Sequence, residues 1–101
     1  ILTHLAPLPD RPRPPVKVWA KGSPRSNALA KDSEWVRARK ALENDKPADV
    51  NEILLVEECG AVLEGMSSNF AAVKGDTVYT AGEGVLEGTV RRLMLEVCER
   101  E

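Results

Sequence analysis

Two short stretches of this chain hold residue types that can do chemistry. In the first, Glu64-Gly65-Met66-Ser67-Ser68-Asn69, a carboxylate closes an apolar run and is followed by a glycine, two hydroxyls and an amide. That set can hold a polar ligand. The same residues also make an ordinary surface turn, with Ser and Asn bonding local backbone, and on composition alone the turn is the plainer reading. In the second stretch, Gly84-Val85-Leu86-Glu87-Gly88 leads into a run with helical spacing from Thr89. A glycine ahead of a helix lets backbone approach a ligand, and the first N–H groups of the helix point outward without intrahelical partners. Together with the helix dipole they suit a phosphate, although many helices begin after glycine without binding one.

The elements that must position these residues are legible from periodicity. Val16 to Ala20 alternates apolar and polar side chains, as a half-buried strand does. Lys21 to Asn27 is turn material. Asp32 and Ser33 are good N-cap residues ahead of a helical run through Trp35, Val36, Ala38, Ala41 and Leu42, which must end before Pro47. Glu52 to Glu58 is apolar at its centre and reads as a largely buried strand. Cys59-Gly60 turns the chain into a second short strand, Ala61 to Glu64. Asn69 to Lys74 and Thr77 to Thr80 flank Gly75-Asp76, a hairpin pattern. From Thr89, Val90, Leu93, Met94, Val97 and Cys98 fall on one face of a helix, and core packing is the simple reading of that stripe.

Composition bounds the function classes. At 101 residues the chain makes one domain at most, too short for two packed domains with a cleft between them. With a net charge of −2 and scattered Lys and Arg, no surface-wide attraction to nucleic acid or an anionic membrane is expected. No apolar run approaches the ~20 residues of a membrane span. The first eight residues lack the features of a secretory signal, which points to a cytoplasmic or organellar protein that is not secreted. Cys59 and Cys98 form no CxxC pair and cannot complete a zinc set with the lone His4. Two reduced thiols are the plainer reading, with a disulfide left open by sequence alone. Residues 1–15 carry Pro7, Pro9, Pro12, Pro14 and Pro15 and read as an extended linker or a strap over another surface.

Taken together and in order, the pieces resemble a known family. Glu52-Ile53-Leu54-Leu55-Val56, Gly60-Ala61-Val62-Leu63-Glu64-Gly65, Ser68-Asn69-Phe70, Tyr79-Thr80 and Leu86-Glu87-Gly88-Thr89-Val90-Arg91 look like the class IV (fold type IV) pyridoxal-phosphate-dependent aminotransferases. That family includes branched-chain and D-amino acid aminotransferases and aminodeoxychorismate lyases. The resemblance runs from about Ala28 to the C-terminus. It implies an α/β (α+β) fold, a fragment of the mixed-sheet large domain, with 16–101 as a partial cofactor-binding domain.

The resemblance also implies roles. The family's Schiff-base lysine stands on a strand about twenty residues before the first buried strand, and Lys31 sits 21 positions before Glu52. Such a lysine must have its pKa lowered to shuttle a proton. Glu64 matches the carboxylate opposite the pyridine nitrogen of pyridoxal 5'-phosphate, which lets the ring act as an electron sink. Ser67 matches a phosphate-side hydroxyl, Thr89 and Val90 match residues whose amides bind phosphate, and Leu86 matches the apolar residue against the ring face. Val36 and Arg37 stand where many members carry a tyrosine, and Gly88-Thr89-Val90-Arg91 replaces a common Gly-Ile-Thr-Arg.

Complete members add an N-terminal domain with a phosphate-binding arginine, and further strands after this helix. The expected activity is therefore transamination between an amino acid and a 2-oxo acid in a homodimeric parent protein, with this chain inactive alone. A lyase of the same family, or a non-catalytic remnant acting as a structural or interaction subunit, are the alternatives.

Overall fold

The structure is a computed structural model that describes residues 1–25, 28–30 and 33–101. Its centre is a three-stranded mixed sheet. Strand β1 (Val18–Gly22) runs parallel to β2 (Glu52–Val56), and β2 runs antiparallel to β3 (Val62–Gly65). A parallel pair needs a long crossover connection. Here it carries α1 (Ser33–Ala38) and α2 (Lys40–Asp45). A separate hairpin, β4 (Ala72–Lys74) with β5 (Thr77–Tyr79), precedes the C-terminal helix α3 (Thr89–Arg100). Residues 1–15 are exposed and carry no helix or strand.

The sheet is held in the middle by β2. Ile53 and Leu55 have no exposed surface, and Leu54 between them is also buried. Burial of consecutive residues means that both faces of this strand are covered, which is why its sequence is a continuous apolar run. On one face Ile53, Leu55 and Met66 form the core, with Trp19, Trp35 and Leu42 packed against it. Gly22 in β1 allows this packing: a Cβ there would lie 2.2 Å from Leu55 Cδ2. The Lys17 N–H donates to Asn51 Oδ1 (3.1 Å), the Asn51 N–H donates to the Lys17 carbonyl (2.8 Å), and Lys17 pairs with Asp49. These contacts set the β1–β2 register, since Lys17 and Asn51 immediately precede the first paired residues, Val18 and Glu52.

Three expectations change. The first strand lies at Val18–Gly22 rather than Val16–Ala20, because pairing with Glu52–Leu55 and the close approach of Gly22 to Leu55 decide its register. The single helix is divided at Arg39, although the Arg39 N–H to Trp35 carbonyl (2.9 Å) and Glu43 N–H to Arg39 carbonyl (3.0 Å) bonds continue the ladder across the break. The apolar stripe of α3 is not core: none of its residues is buried, and Val90, Leu93 and Val97 are exposed. The helix follows the loop from Ala81 to Gly88, while the sheet core is filled by α1, α2 and Trp19. Cys59 and Cys98 are both exposed free thiols.

Candidate functional site

Strand β3 delivers Glu64 to the site. Glu64 is in register with Leu55, and directly paired residues of antiparallel strands share a face. The carboxylate therefore leaves the sheet on the side of the apolar core, beside Trp35, and its side chain is only 4% exposed. The expectation of a surface turn holds for Ser67 and Ser68, which are exposed. It fails for Glu64, Gly65 and Met66, which are buried.

The buried carboxylate is only partly paired. Glu64 Oε2 accepts the Leu86 N–H at 3.1 Å. Glu64 Oε1 lies 3.5 Å from Arg25 Nε in a buried ion pair, but has no hydrogen-bond partner among the described residues. Burial pushes the Glu64 carboxyl above its ordinary 4.5, and the Leu86 N–H and the Arg25 guanidinium pull it back only part of the way.

This has a consequence for stability. The carboxyl keeps its proton to higher pH in the folded chain than in the unfolded one, so its destabilising effect is absent below about pH 4.5 and grows as pH rises through the folded value. Thermal midpoints of the native chain and of Glu64→Gln, followed over pH 4 to 8, are expected to diverge, the native chain losing ground with rising pH. A gap constant in pH would contradict this.

Asn69 fixes the second wall. Its Nδ2 donates to the Leu86 carbonyl at 2.7 Å. Together with the Glu64 bond it clamps both backbone groups of Leu86 to β3 and the segment after it. Gly88 must be glycine for this contact, because a Cβ there would lie 2.0 Å from Asn69 Oδ1. Arg91 in the first turn of α3 donates to the Ala81 carbonyl (2.5 Å), so the helix start is tied to the end of the hairpin. Gly88 caps α3 with no side-chain hydrogen bond, which leaves the first amides of this 12-residue helix without a capping acceptor.

A cleft of about 560 Å³ lies between these walls, lined among others by Arg25, Trp35, Glu64, Ser67, Leu86 and Thr89. Of the residues singled out in the sequence, Glu64, Ser67, Leu86 and Thr89 therefore share one cleft. The Val90 side chain is exposed and faces a different depression, with Phe70 and Met94. Lys31 lies outside the described residues, and so does Asp32. The neighbouring Ala28 and Leu29 lie in a turn, not a strand. The Ser67 hydroxyl donates to Glu52 Oε2 at 3.2 Å, and Ser68 donates to the same oxygen at 2.8 Å. A phosphate at Ser67 would have to take that proton from a carboxylate.

Sequence reasoning missed Arg25, Trp35 and Arg39, all on the cleft wall. Arg25 stood in a turn-rich stretch and Trp35 in a helical run, with no local signal of either's partner. Trp35 Nε1 donates to the Met66 carbonyl at 3.1 Å, and the Arg25 guanidinium lies 5.3 Å from the Trp35 ring centroid. Among the described residues no three His, Cys, Asp or Glu side chains gather as a metal site, and no helix is long and apolar enough to cross a membrane.

The amino-transferase class IV family model matches residues 1–101, the whole of the chain. The chain belongs to this family. The match includes the proline-rich residues 1–15, upstream of the part that carried the resemblance. No curated protein matches the chain. Class IV aminotransferases generally use pyridoxal 5'-phosphate. The residues present fit that group at two points. Glu64 Oε1 is a buried acceptor without a hydrogen bond, as a ring N–H requires, and the α3 start offers amides without a capping acceptor.

Proposed function

We propose that this class IV aminotransferase chain carries the cofactor half-site of an enzyme that moves an amino group between an amino acid and a 2-oxo acid, of the branched-chain or D-amino acid kind. The observation that carries the reading is the buried Glu64 carboxylate, whose Oε1 is ion-paired with Arg25 but accepts no hydrogen bond among the described residues, in the cleft that Leu86 and Thr89 also line. Glu64 would hold the ring nitrogen, the Leu86 side chain would back the ring, and the amides of Thr89 and Val90 with the Ser67 hydroxyl would hold phosphate. When bound, the cofactor supplies an aldehyde that takes up an amino group and a ring that withdraws electrons. Lys31 is the residue assigned to hold the cofactor covalently and to move the proton. Trp35 and Met66 exclude water from the Glu64 side. Family members are typically dimers, and the protein is proposed as a homodimer.

Titrating the chain with pyridoxal 5'-phosphate tests this. A shifted cofactor absorbance is expected, together with a borohydride-trapped adduct that peptide mapping places on Lys31, and both should be lost in Lys31→Ala. A folded chain that shows neither would overturn the reading in favour of a non-catalytic subunit. Val36 and Arg37, where many members carry tyrosine, motivate that second reading. Pyruvate release without a 2-oxo acid acceptor would mark a lyase instead.

A further inference from the structure

Arg25 touches Glu64 on one side and the Ala28–Ala30 backbone on the other, and the role assigned above gives it nothing to do. Its side chain is 8% exposed, which is unusual for a guanidinium. One edge of the fork faces the acid: Nε lies 3.5 Å from Glu64 Oε1. The other edge faces backbone: NH2 donates to the Ala28 carbonyl at 3.0 Å and reaches the Ala30 carbonyl at 3.4 Å. The ring of Trp35 lies against the same group. Ala30 immediately precedes Lys31 in the chain.

We propose that Arg25 is a positioning residue of the cofactor site, pairing with the Glu64 carboxylate through one edge of its guanidinium and holding the Ala28–Ala30 segment that leads into Lys31 through the other. The cofactor part of this inference rests on the function proposed above. The pairing itself does not. A planar five-donor fork can serve two acceptors on different edges at once, and a lysine ammonium cannot hold that geometry. The pair is buried, so its charge is poorly screened, and removing one partner leaves the other uncompensated. Among the described residues Arg25 is the cation that opposes the effect of burial on Glu64, alongside the larger pull of the Leu86 N–H. Among the described residues the other charged groups on the cleft wall are Arg39, which is ion-paired with Glu43, and Glu87; Glu52 stands behind Ser67 and Ser68.

The test follows the Glu64 carboxyl carbon by NMR in chain labelled with 13C-glutamate, assigned with Glu64→Gln. In Arg25→Met the titration midpoint of Glu64 is expected to rise by about one pH unit or more, as when a carboxylate loses an adjacent cation. In Arg25→Lys the midpoint should stay near the native one, while amide exchange at Ala28 and Ala30 accelerates. Cofactor trapping should fall in both variants. An unchanged midpoint in Arg25→Met would overturn the proposal. Should Arg25→Met fail to fold, the double variant Arg25→Met/Glu64→Gln decides. Recovery of folding in the double variant supports the pairing, since no buried charge is then stranded, and continued failure sinks it. A shifted midpoint in a chain that binds no cofactor leaves the pairing standing and removes the aminotransferase reading. Equal cofactor trapping by native and Arg25→Met chains removes the positioning role and leaves that reading intact.

Discussion

Leu55→Ala is expected to destabilise the chain by about 2–5 kcal/mol, the range for emptying a buried leucine site. Leu55 has no exposed surface and stands between Gly22 of β1 and Glu64 of β3 in the sheet register. Its Cδ2 occupies the space above Gly22, and a glycine has no side chain with which to fill the hole. Collapse around the cavity is therefore limited, and the cost should lie in the upper part of the range. A domain of this size is stable by only about 5–15 kcal/mol, so the loss is a large share of the whole. Urea unfolding followed by tryptophan fluorescence reads it directly, because Trp19 and Trp35 both pack on the core that Leu55 belongs to. Val73→Ala is the control. Val73 is 72% exposed on β4, and its loss should stay within about 0.5 kcal/mol. A Leu55→Ala cost no larger than that of Val73→Ala would show that the β2 core does not hold the fold. The functional consequence is local: Glu64 is paired with Leu55 across the sheet, so the carboxylate loses its fixed position with the strand.

Trp35→Ala is the second large effect, expected at about 3 kcal/mol, the lower end for truncating a tryptophan, because Trp35 is only half buried. Three interactions disappear together. The indole leaves the Ile53–Leu55–Met66 cluster. The buried Met66 loses the donor to its carbonyl, which lies 3.1 Å from the indole nitrogen. Arg25 loses the ring against which its guanidinium lies. Trp35→Phe separates these contributions, since it keeps an apolar ring but has no N–H, and it should cost about 1–2 kcal/mol. Cofactor trapping is expected to weaken in Trp35→Ala even under conditions where the chain remains folded, because α1 loses its hydrogen bond to the segment that follows Glu64. Unaltered trapping by a folded Trp35→Ala chain would remove Trp35 from the site.

Much of the local architecture was legible in the sequence, for reasons that can be named. The apolar run at Ile53–Leu55 is a strand covered on both faces, and its composition says so without reference to any partner. Gly75 adopts φ 62°, a left-handed conformation that glycine adopts without strain, so the β4–β5 turn could be placed from its residue types. The start of α3 at Thr89 followed from the onset of helical spacing after Gly88. These are local properties, decided within a few residues.

Residues that meet across the fold were not legible. The stripe on α3 has the spacing of a core-facing helix, yet Val90, Leu93 and Val97 are exposed, because periodicity reports that a helix has an apolar face and not what covers it. The displaced first strand is another case. Its limits are set by pairing with β2 and by the room Gly22 leaves for Leu55, and neither can be read from residues 16–22 alone.

The amino-acid sequence by itself determined the order of elements, the carboxylate at the end of the second apolar run and the glycine-led helix, and that ordered pattern was enough to point to the class IV aminotransferase family. Tertiary structure alone decided what Glu64 is. The crossover that lays β1 beside β2 brings Arg25 and Trp35 over β3, and it is this packing that buries the carboxylate, raises its proton affinity and leaves one oxygen without a hydrogen bond. The physical reason is that desolvation and ion pairing depend on what surrounds a group in space, whereas helix and strand signals depend on what surrounds it in the chain.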